Sequence, residues 1–306
     1  MRYAILSDVH GNLPALEAVR NDLDTRQVDT VIYLGDAVGY YADSQRVIQT
    51  LRELVLPHPV QTFERERQNH NAPTTMPLWV TGNHEWMLLD RIRQQQANDI
   101  AGETLRRTRE ELEHDGDVMA FLKNLPERIE VELGGSHSLL LVTVVHATTV
   151  DPAGTRGQRS YLDSPSAAAS AADISPFQIC LVGHTHVPQV FYEETPPGFS
   201  FPQWKRMFIA DIHLYHPPGK PYTFQHQRLI LNPGSVGQPR DGDNRASYAI
   251  LDTDERTFTI YRVPYEFREA QRRTRDWIQP WLNGISDDER QKVERFLIDR
   301  LETAVG

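Results

Sequence analysis

Short apolar runs recur along the chain, and several stop abruptly at a polar residue beside a glycine. Tyr3 to Ser7 predicts a buried strand. It ends in Asp8-Val9-His10-Gly11-Asn12, after which Leu13, Leu16, Val19 and Leu23 fall at helical spacing. Asn12 is placed to cap that helix, and Pro14 lies in its first turn. Thr30 to Leu34 repeats the pattern: a strand, then Gly35-Asp36-Ala37-Val38-Gly39, then a helix with Val47, Ile48, Leu51 and Leu54 on one face. Leu78 to Thr81 predicts a third strand, ending in Gly82-Asn83-His84-Glu85, and residues from Glu85 to about Glu113 favour helix. Asp117 to Leu125 predicts a short helix stopped by Pro126.

The second half is less regular. Arg128 to Leu133 and Leu139 to Val145 predict a hairpin across Gly134-Gly135, whose second strand ends at His146. Phe177 to Val182 predicts a buried strand, followed by Gly183-His184-Thr185-His186. Arg228 to Leu231 predicts another, ending in Asn232-Pro233-Gly234-Ser235, and Ser247 to Leu251 with Thr257 to Val263 predicts a closing hairpin. Three segments break the rhythm. Val55 to Pro77 reads as a surface loop, Asp151 to Pro176 as a loop with a weak Ser/Ala-rich helix, and Tyr192 to Gln227 as an insertion rich in proline and aromatics. His58 and His70, in the first of these segments, are expected to be solvated; His213, His216 and His226 lie inside the last. Residues 264–306 read as helices, with Trp277, Ile278 and Trp281, then Val293, Phe296, Leu297 and Leu301, on apolar faces. The expectation is an α/β fold with strands 1–263 as the body and 264–306 as a helical extension packed on it.

Asp8, His10, Asp36, Asn83, His84, His146, His184 and His186 all follow apolar strands. If those strands share sheets, their ends gather along one rim. His184 and His186, spaced i, i+2, then project together. So many carboxylates and imidazoles in one place call for a cation. The donor set has nitrogen and oxygen but no thiolate, which suits Mn, Fe, Zn, Co or Ni without choosing among them. The count exceeds the four ligands of a structural zinc site, which favours two ions.

Composition narrows the picture. With 306 residues there is ample length for a sizeable core. Lys+Arg total 32 against 42 Asp+Glu, a formal charge of −10, which argues against a broad nucleic-acid footprint. The single cysteine, Cys180, sits in an apolar run and is expected to be a small core residue. No stretch suggests a signal peptide or a membrane span, so the expected setting is cytoplasmic, with a small phosphorylated substrate as partner and no membrane.

The blocks Asp8-x-His10, Gly35-Asp36, Gly82-Asn83-His84-Glu85, His146 and Gly183-His184-x-His186 resemble the calcineurin-like metallophosphoesterase superfamily, in the family's order. Asn232 to Arg240 and Tyr248 to Asp252 are similar to the closing strands of its compact bacterial branch of phosphodiesterases and diadenosine tetraphosphatase-like proteins. The resemblance implies a two-sheet β-sandwich flanked by helices, with residues 1–263 as the catalytic domain. It implies that Asp8, His10 and His186 hold one metal, that Asn83, His146 and His184 hold a second, and that Asp36 bridges them. His84 would act in catalysis near the leaving group, oriented by Glu85, which stands where the family more often has Asp. The implied activity is hydrolysis of a small phosphomonoester or phosphodiester by a hydroxide that two metals activate. The alternatives are a nuclease of the same superfamily and a non-catalytic metal-binding scaffold. Arg240 is a candidate phosphate contact, against the plainer roles of a solvated turn residue or a partner for Asp241.

Overall fold

The strand Arg2–Leu6 (β1) is apolar from Tyr3 onward, and its alternate side chains feed two different cores. Tyr3 and Ile5 face a second sheet; Ala4 and Leu6 face the helix Leu13–Leu23 (α1). The structure, a computed structural model, describes residues 1–56, 60–62, 74–91, 99–134, 139–156, 160–174, 177–197, 199–200, 202–207, 219–225 and 227–305. His58, His70, His213, His216 and His226 lie outside the described residues.

Two sheets stack face to face. The first joins β1 to Thr30–Tyr33 (β2), Pro221–Thr223 (β10), Ala246–Asp252 (β12) and Thr257–Val263 (β13), in the order β10-β13-β12-β1-β2. The second has six strands: Arg128–Leu133 (β5), Leu140–Val145 (β6), Ile179–Leu181 (β7), Gln189–Glu194 (β8), Gln203–Met207 (β9) and Leu229–Asn232 (β11). Their order is β5-β6-β7-β11-β8-β9. The β1–β2, β6–β7 and β7–β11 pairs are parallel, so the carboxyl ends of β1 and β2, and of β6, β7 and β11, emerge together. Between the sheets lie Ile5, Ile32, Leu34, Val142, Val144, Leu181, Leu229, Leu231 and Leu251. The outer face of the first sheet is covered by α1 and by Ser44–Val55 (α2); that of the second by Pro165–Ile174 (α6), against Cys180 and Ile230. The molecule is therefore a two-sheet sandwich flanked by helices.

Local signals account for much of this. The Asn12 side chain accepts the Ala15 N–H at 3.3 Å and caps α1, with Pro14 in the first turn. Burial of Ala168, Ala171 and Ala172 stabilises the Ser/Ala-rich helix α6.

Four expectations need correction. Leu78–Thr81 forms no full strand: it follows β2 through one bridge, Tyr33 with Trp79, and two hydrogen bonds. Thr81 then donates to the Pro126 carbonyl at 2.8 Å, which draws the chain off the sheet edge. The stretch 85–113 is not one helix. Asn83–Leu88 (α3) ends before Asp90, whose φ of +54° is incompatible with helix, and Asp99–Leu112 (α4) follows separately. The segment 192–227 holds the second half of β8 and all of β9 and β10, so it completes the sheets rather than interrupting them. Within 55–77, Val60–Thr62 (β3) and Thr74–Met76 (β4) pair as an antiparallel hairpin.

Beyond Val263 come Phe267–Leu282 (α7) and Asp287–Glu294 (α8), then a π-helical turn, Arg295–Asp299, and a last helical turn, Arg300–Thr303. Their apolar face, with Ile278, Leu282, Leu297 and Leu301, packs on Tyr40 and Tyr41 from the loop after β2.

Candidate metal centre

All eight strand-end residues are brought to one place. Seven are buried and Asn83 is half-buried. Asp8 and His10 follow β1, and Asp36 follows β2. His146 follows β6, and His184 and His186 follow β7. Asn83 and His84 open α3. The backbone is unusual here: Asp8, His10, Asp36, His184 and His186 have φ of +55°, +51°, +58°, +64° and +59°. Left-handed residues of this kind cost roughly 1–3 kcal/mol each and concentrate at functional sites.

The hydrogen bonds show what the side chains are left to do. His10 Nδ1 bonds the Val38 carbonyl at 3.1 Å, His146 Nδ1 that of Leu34 at 2.7 Å, and His186 Nδ1 that of Gln238 at 2.7 Å. A ring donating from Nδ1 in its neutral form has a bare lone pair at Nε2. Yet His10 Nε2 and His186 Nε2 stand 3.1 Å apart. His146 Nε2 is 3.2 Å from Asn83 Oδ1, 3.2 Å from His184 Nδ1 and 3.3 Å from Asp36 Oδ2. Acceptors that close need a positive charge among them.

Each carboxylate is divided in the same way. Asp8 Oδ2 accepts from Ser7 Oγ at 2.5 Å and from the His184 N–H at 3.1 Å. Its Oδ1 makes no hydrogen bond and faces His186 Nε2 at 3.3 Å. Asp36 Oδ1 accepts the His84 N–H at 2.9 Å, while Oδ2 lies 3.7 Å from His10 Nε2 and 3.3 Å from His146 Nε2. Three groups of ligand atoms result: Asp8, His10 and His186; Asp36, His146 and His184; and His10, Asp36 and His84. The buried Asp8 Oδ1 and the nitrogen-and-oxygen donor set fit a divalent transition metal.

In the absence of an ion, burial and mutual charge set the titration of these groups. Burial opposes ionisation of Asp36, but His146 and His84 outweigh it and hold the carboxyl well below its usual range. Burial likewise opposes ionisation of Asp8, and His186 holds that group low too. His146 is pushed up to about 10: burial works against its charge, and Asp36 wins. Burial lowers His184 to about 3, and lowers His84 to about 4 despite Asp36.

Glu85 does something other than orient the His84 ring. Its carboxylate accepts N–H groups from Gly82 (2.8 Å), Asp36 (3.0 Å) and Ala37 (2.7 Å), tying the loop after β2 to the start of α3. His84 Nδ1 is buried without a partner, and the ring packs against His10 and Tyr40 at 4.5 and 4.7 Å between centroids. Arg240 is neither solvated nor paired with Asp241. It is half-buried, its Nε is enclosed without a partner, and it bonds Gln238 Oε1 at 2.9 Å. Asp241 instead forms a buried ion pair with Arg262. The sequence reading missed two rings, Tyr40 and Tyr161, which pack on His10 and on His184 at 4.7 and 4.5 Å. Tyr40 was within reach, since it directly follows the Gly35–Gly39 block; Tyr161, in a loop, carried no signal.

A two-sheet sandwich with these strand-end clusters defines a metallophosphoesterase fold. Residues 1–256 match the calcineurin-like phosphoesterase superfamily domain, and the chain belongs to that superfamily. Its members are metal-dependent, and the Asp and His groups above are groups among the described residues that could hold metal. The crystal structure of a metallophosphoesterase from Sphaerobacter thermophilus is 29% identical, covers 100% of this chain and 99% of its own, and superposes with a TM-score of 0.65. A hypothetical protein from Pyrococcus horikoshii shares the fold at 17% identity and a TM-score of 0.63, over 95% of this chain and 97% of its own. An uncharacterised protein of Methanocaldococcus jannaschii is 29% identical over 280 residues, 91% of this chain and 94% of its own length. No helix among the described residues is long and apolar enough to cross a membrane.

Proposed function

We propose that the protein is a binuclear-metal phosphoesterase acting on a small phosphomonoester or phosphodiester. One observation carries this reading. Asp36 Oδ2 stands between two sets of bare imidazole nitrogens, 3.7 Å from His10 and 3.3 Å from His146, where one oxygen can serve two ions. Asp8, His10 and His186 would hold the first ion, and Asn83, His146 and His184 the second. Mn, Fe, Zn, Co and Ni all suit these donors. Two such ions would supply Lewis-acid chemistry, lowering the pKa of a bound water and offsetting charge on phosphoryl oxygens.

The chain's own groups do the rest. Asp36 would offer one oxygen to both sites, while its other oxygen is fixed by the His84 N–H. His84, walled by His10 and Tyr40, offers a ring N–H to the leaving oxygen. Arg240, with no carboxylate paired to it among the described residues, presents a planar fork suited to two phosphate oxygens.

The test is a panel of p-nitrophenyl phosphate, bis-p-nitrophenyl phosphate, cyclic nucleotides and dinucleoside polyphosphates, assayed with Mn²⁺. At least one should be hydrolysed, and both chelator and Asp36→Asn should abolish turnover. Asn tolerates left-handed backbone and can still accept the His84 N–H, so the variant should fold while binding less of both metals. No hydrolysis across the panel, or unchanged metal content in Asp36→Asn, defeats the reading.

A further inference from the structure

The last turn of the chain brings a second arginine toward the first. Asp241, next to Arg240, bridges to Val305 in an isolated antiparallel pair, and Gly242 donates to the Ala304 carbonyl at 2.9 Å. The tail is thus pinned to the Arg240 loop, with Arg300 one turn before the pin. The π-helical turn Arg295–Asp299 immediately precedes Arg300. Such turns shift the face that later side chains present, and they recur at functional sites.

Ring contacts trace the path to the metal-ligand cluster. Tyr40 packs on His10 and His84, Phe296 packs on Tyr40 at 5.7 Å, and the Arg300 guanidinium lies 3.9 Å over Phe296. Arg300 is half-buried, and among the described residues neither it nor Arg240 is paired with a carboxylate. The pinned tail brings the Arg300 turn to the Arg240 loop, and burial and the charge of Arg240 both lower the Arg300 pKa, as expected of like charges in one neighbourhood. An oxygen-rich anion between them relieves that repulsion and uses both planar forks.

We propose that Arg300 and Arg240 form an anion subsite beside the metal-ligand cluster, so that the substrate carries a second phosphate group next to the one held at the metals. The C-terminal helices are then part of the binding site. This rests on the phosphoesterase reading for the role of the first phosphate only.

The experiment is calorimetric titration of the full-length, Mn²⁺-saturated protein with inorganic phosphate and with inorganic pyrophosphate. Wild type and Arg300→Gln are compared in the same buffer, so chelation of Mn²⁺ by pyrophosphate cancels from the ratio between proteins. Arg300→Gln should weaken pyrophosphate about tenfold and phosphate less than about twofold, the size expected for one charge-assisted contact. Arg300→Met keeps the apolar stem over Phe296 and carries the same expectation should the Gln variant not fold. Equal weakening of both ligands, or no weakening of pyrophosphate, overturns the subsite. Hydrolysis of p-nitrophenyl phosphate by the wild type is scored separately. Activity there with pyrophosphate binding indifferent to Arg300 defeats the subsite alone. Arg300-dependent pyrophosphate binding by a protein that hydrolyses nothing defeats the hydrolase alone.

Discussion

Left-handed backbone at Asp8, His10, Asp36, His184 and His186 lets consecutive short loops turn their side chains into one pocket. Asp and His adopt that region more readily than most residues, so the ligand types also suit the backbone they stand on. The i, i+2 spacing and the strand ends exposed this cluster in the sequence; the sign of φ was invisible there, because it depends on how each loop meets its neighbours. Gly82 shows the tightness. A Cβ on it would collide with Asp36 Oδ1 and come within 2.8 Å of the Asp36 nitrogen, although its own φ is ordinary. Gly82→Ala should therefore displace Asp36 and weaken metal binding at least about tenfold. Gly116→Ala, where a Cβ meets nothing within 4 Å, should bind metal as the parent does. Metal titration of the two variants checks this. His84→Asn should retain fold and both metals yet lower turnover by about two to four orders of magnitude, less for substrates with good leaving groups. Metal content, melting temperature and turnover on one preparation separate that outcome from loss of a ligand or of a core residue.

At the scale of elements, the loops after β2 and before α3 act as one unit because Glu85 joins them. The sequence showed Glu85 as a carboxylate beside His84, and nothing local marked its backbone partners, which lie 48 and 49 residues away as well as three. Glu85→Ala leaves the N–H groups of Gly82, Asp36 and Ala37 without that acceptor. Orphaned buried donors cost about 1–3 kcal/mol each, so urea unfolding should show a loss of at least about 3 kcal/mol. Glu85→Gln keeps one acceptor oxygen and should lose less; equal stability of Glu85→Ala and the parent would remove the tie. Elsewhere, strands fed by both cores were plain in the sequence. Those at the margins were not. β9, Gln203–Met207, carries Trp204, Lys205 and Arg206 with no buried position, as an edge strand exposed on its flank tends to. Leu78–Thr81 has the opposite character: it is buried and mostly apolar, yet after its two bonds to Tyr33 the Thr81 bond to Pro126 diverts it before a ladder forms.

At the scale of the molecule, the site lies on the seam of the sandwich. Asp8, His10 and Asp36 come from the first sheet, and His146, His184 and His186 from the second. The order of strand–helix units pointed to an α/β fold and the resemblance of the strand-end motifs supplied the two-sheet sandwich, but pairing such as β7 between β6 and β11 joins segments far apart in sequence and had no local signal. A cation shared by Asp8, His10 and His186, or by Asp36, His146 and His184, ties one sheet to the other, and the unfolded chain offers no such grouping. Binding restricted to the native state stabilises by about 2.7 kcal/mol for each ion at roughly 100 times its dissociation constant. Adding Mn²⁺ to chelator-treated protein should therefore raise stability by about 5 kcal/mol, with the urea midpoint moving up and the slope of the transition unchanged. Asp36→Asn should lose most of that gain, because Asp36 Oδ2 faces both His10 of the first group and His146 of the second. His10→Ala should lose about half, since Asp36, His146 and His184 stay intact. Equal midpoints with chelator and with Mn²⁺ in the parent protein would mean that these clusters hold no ion, and that the crowded imidazoles are satisfied by protons alone.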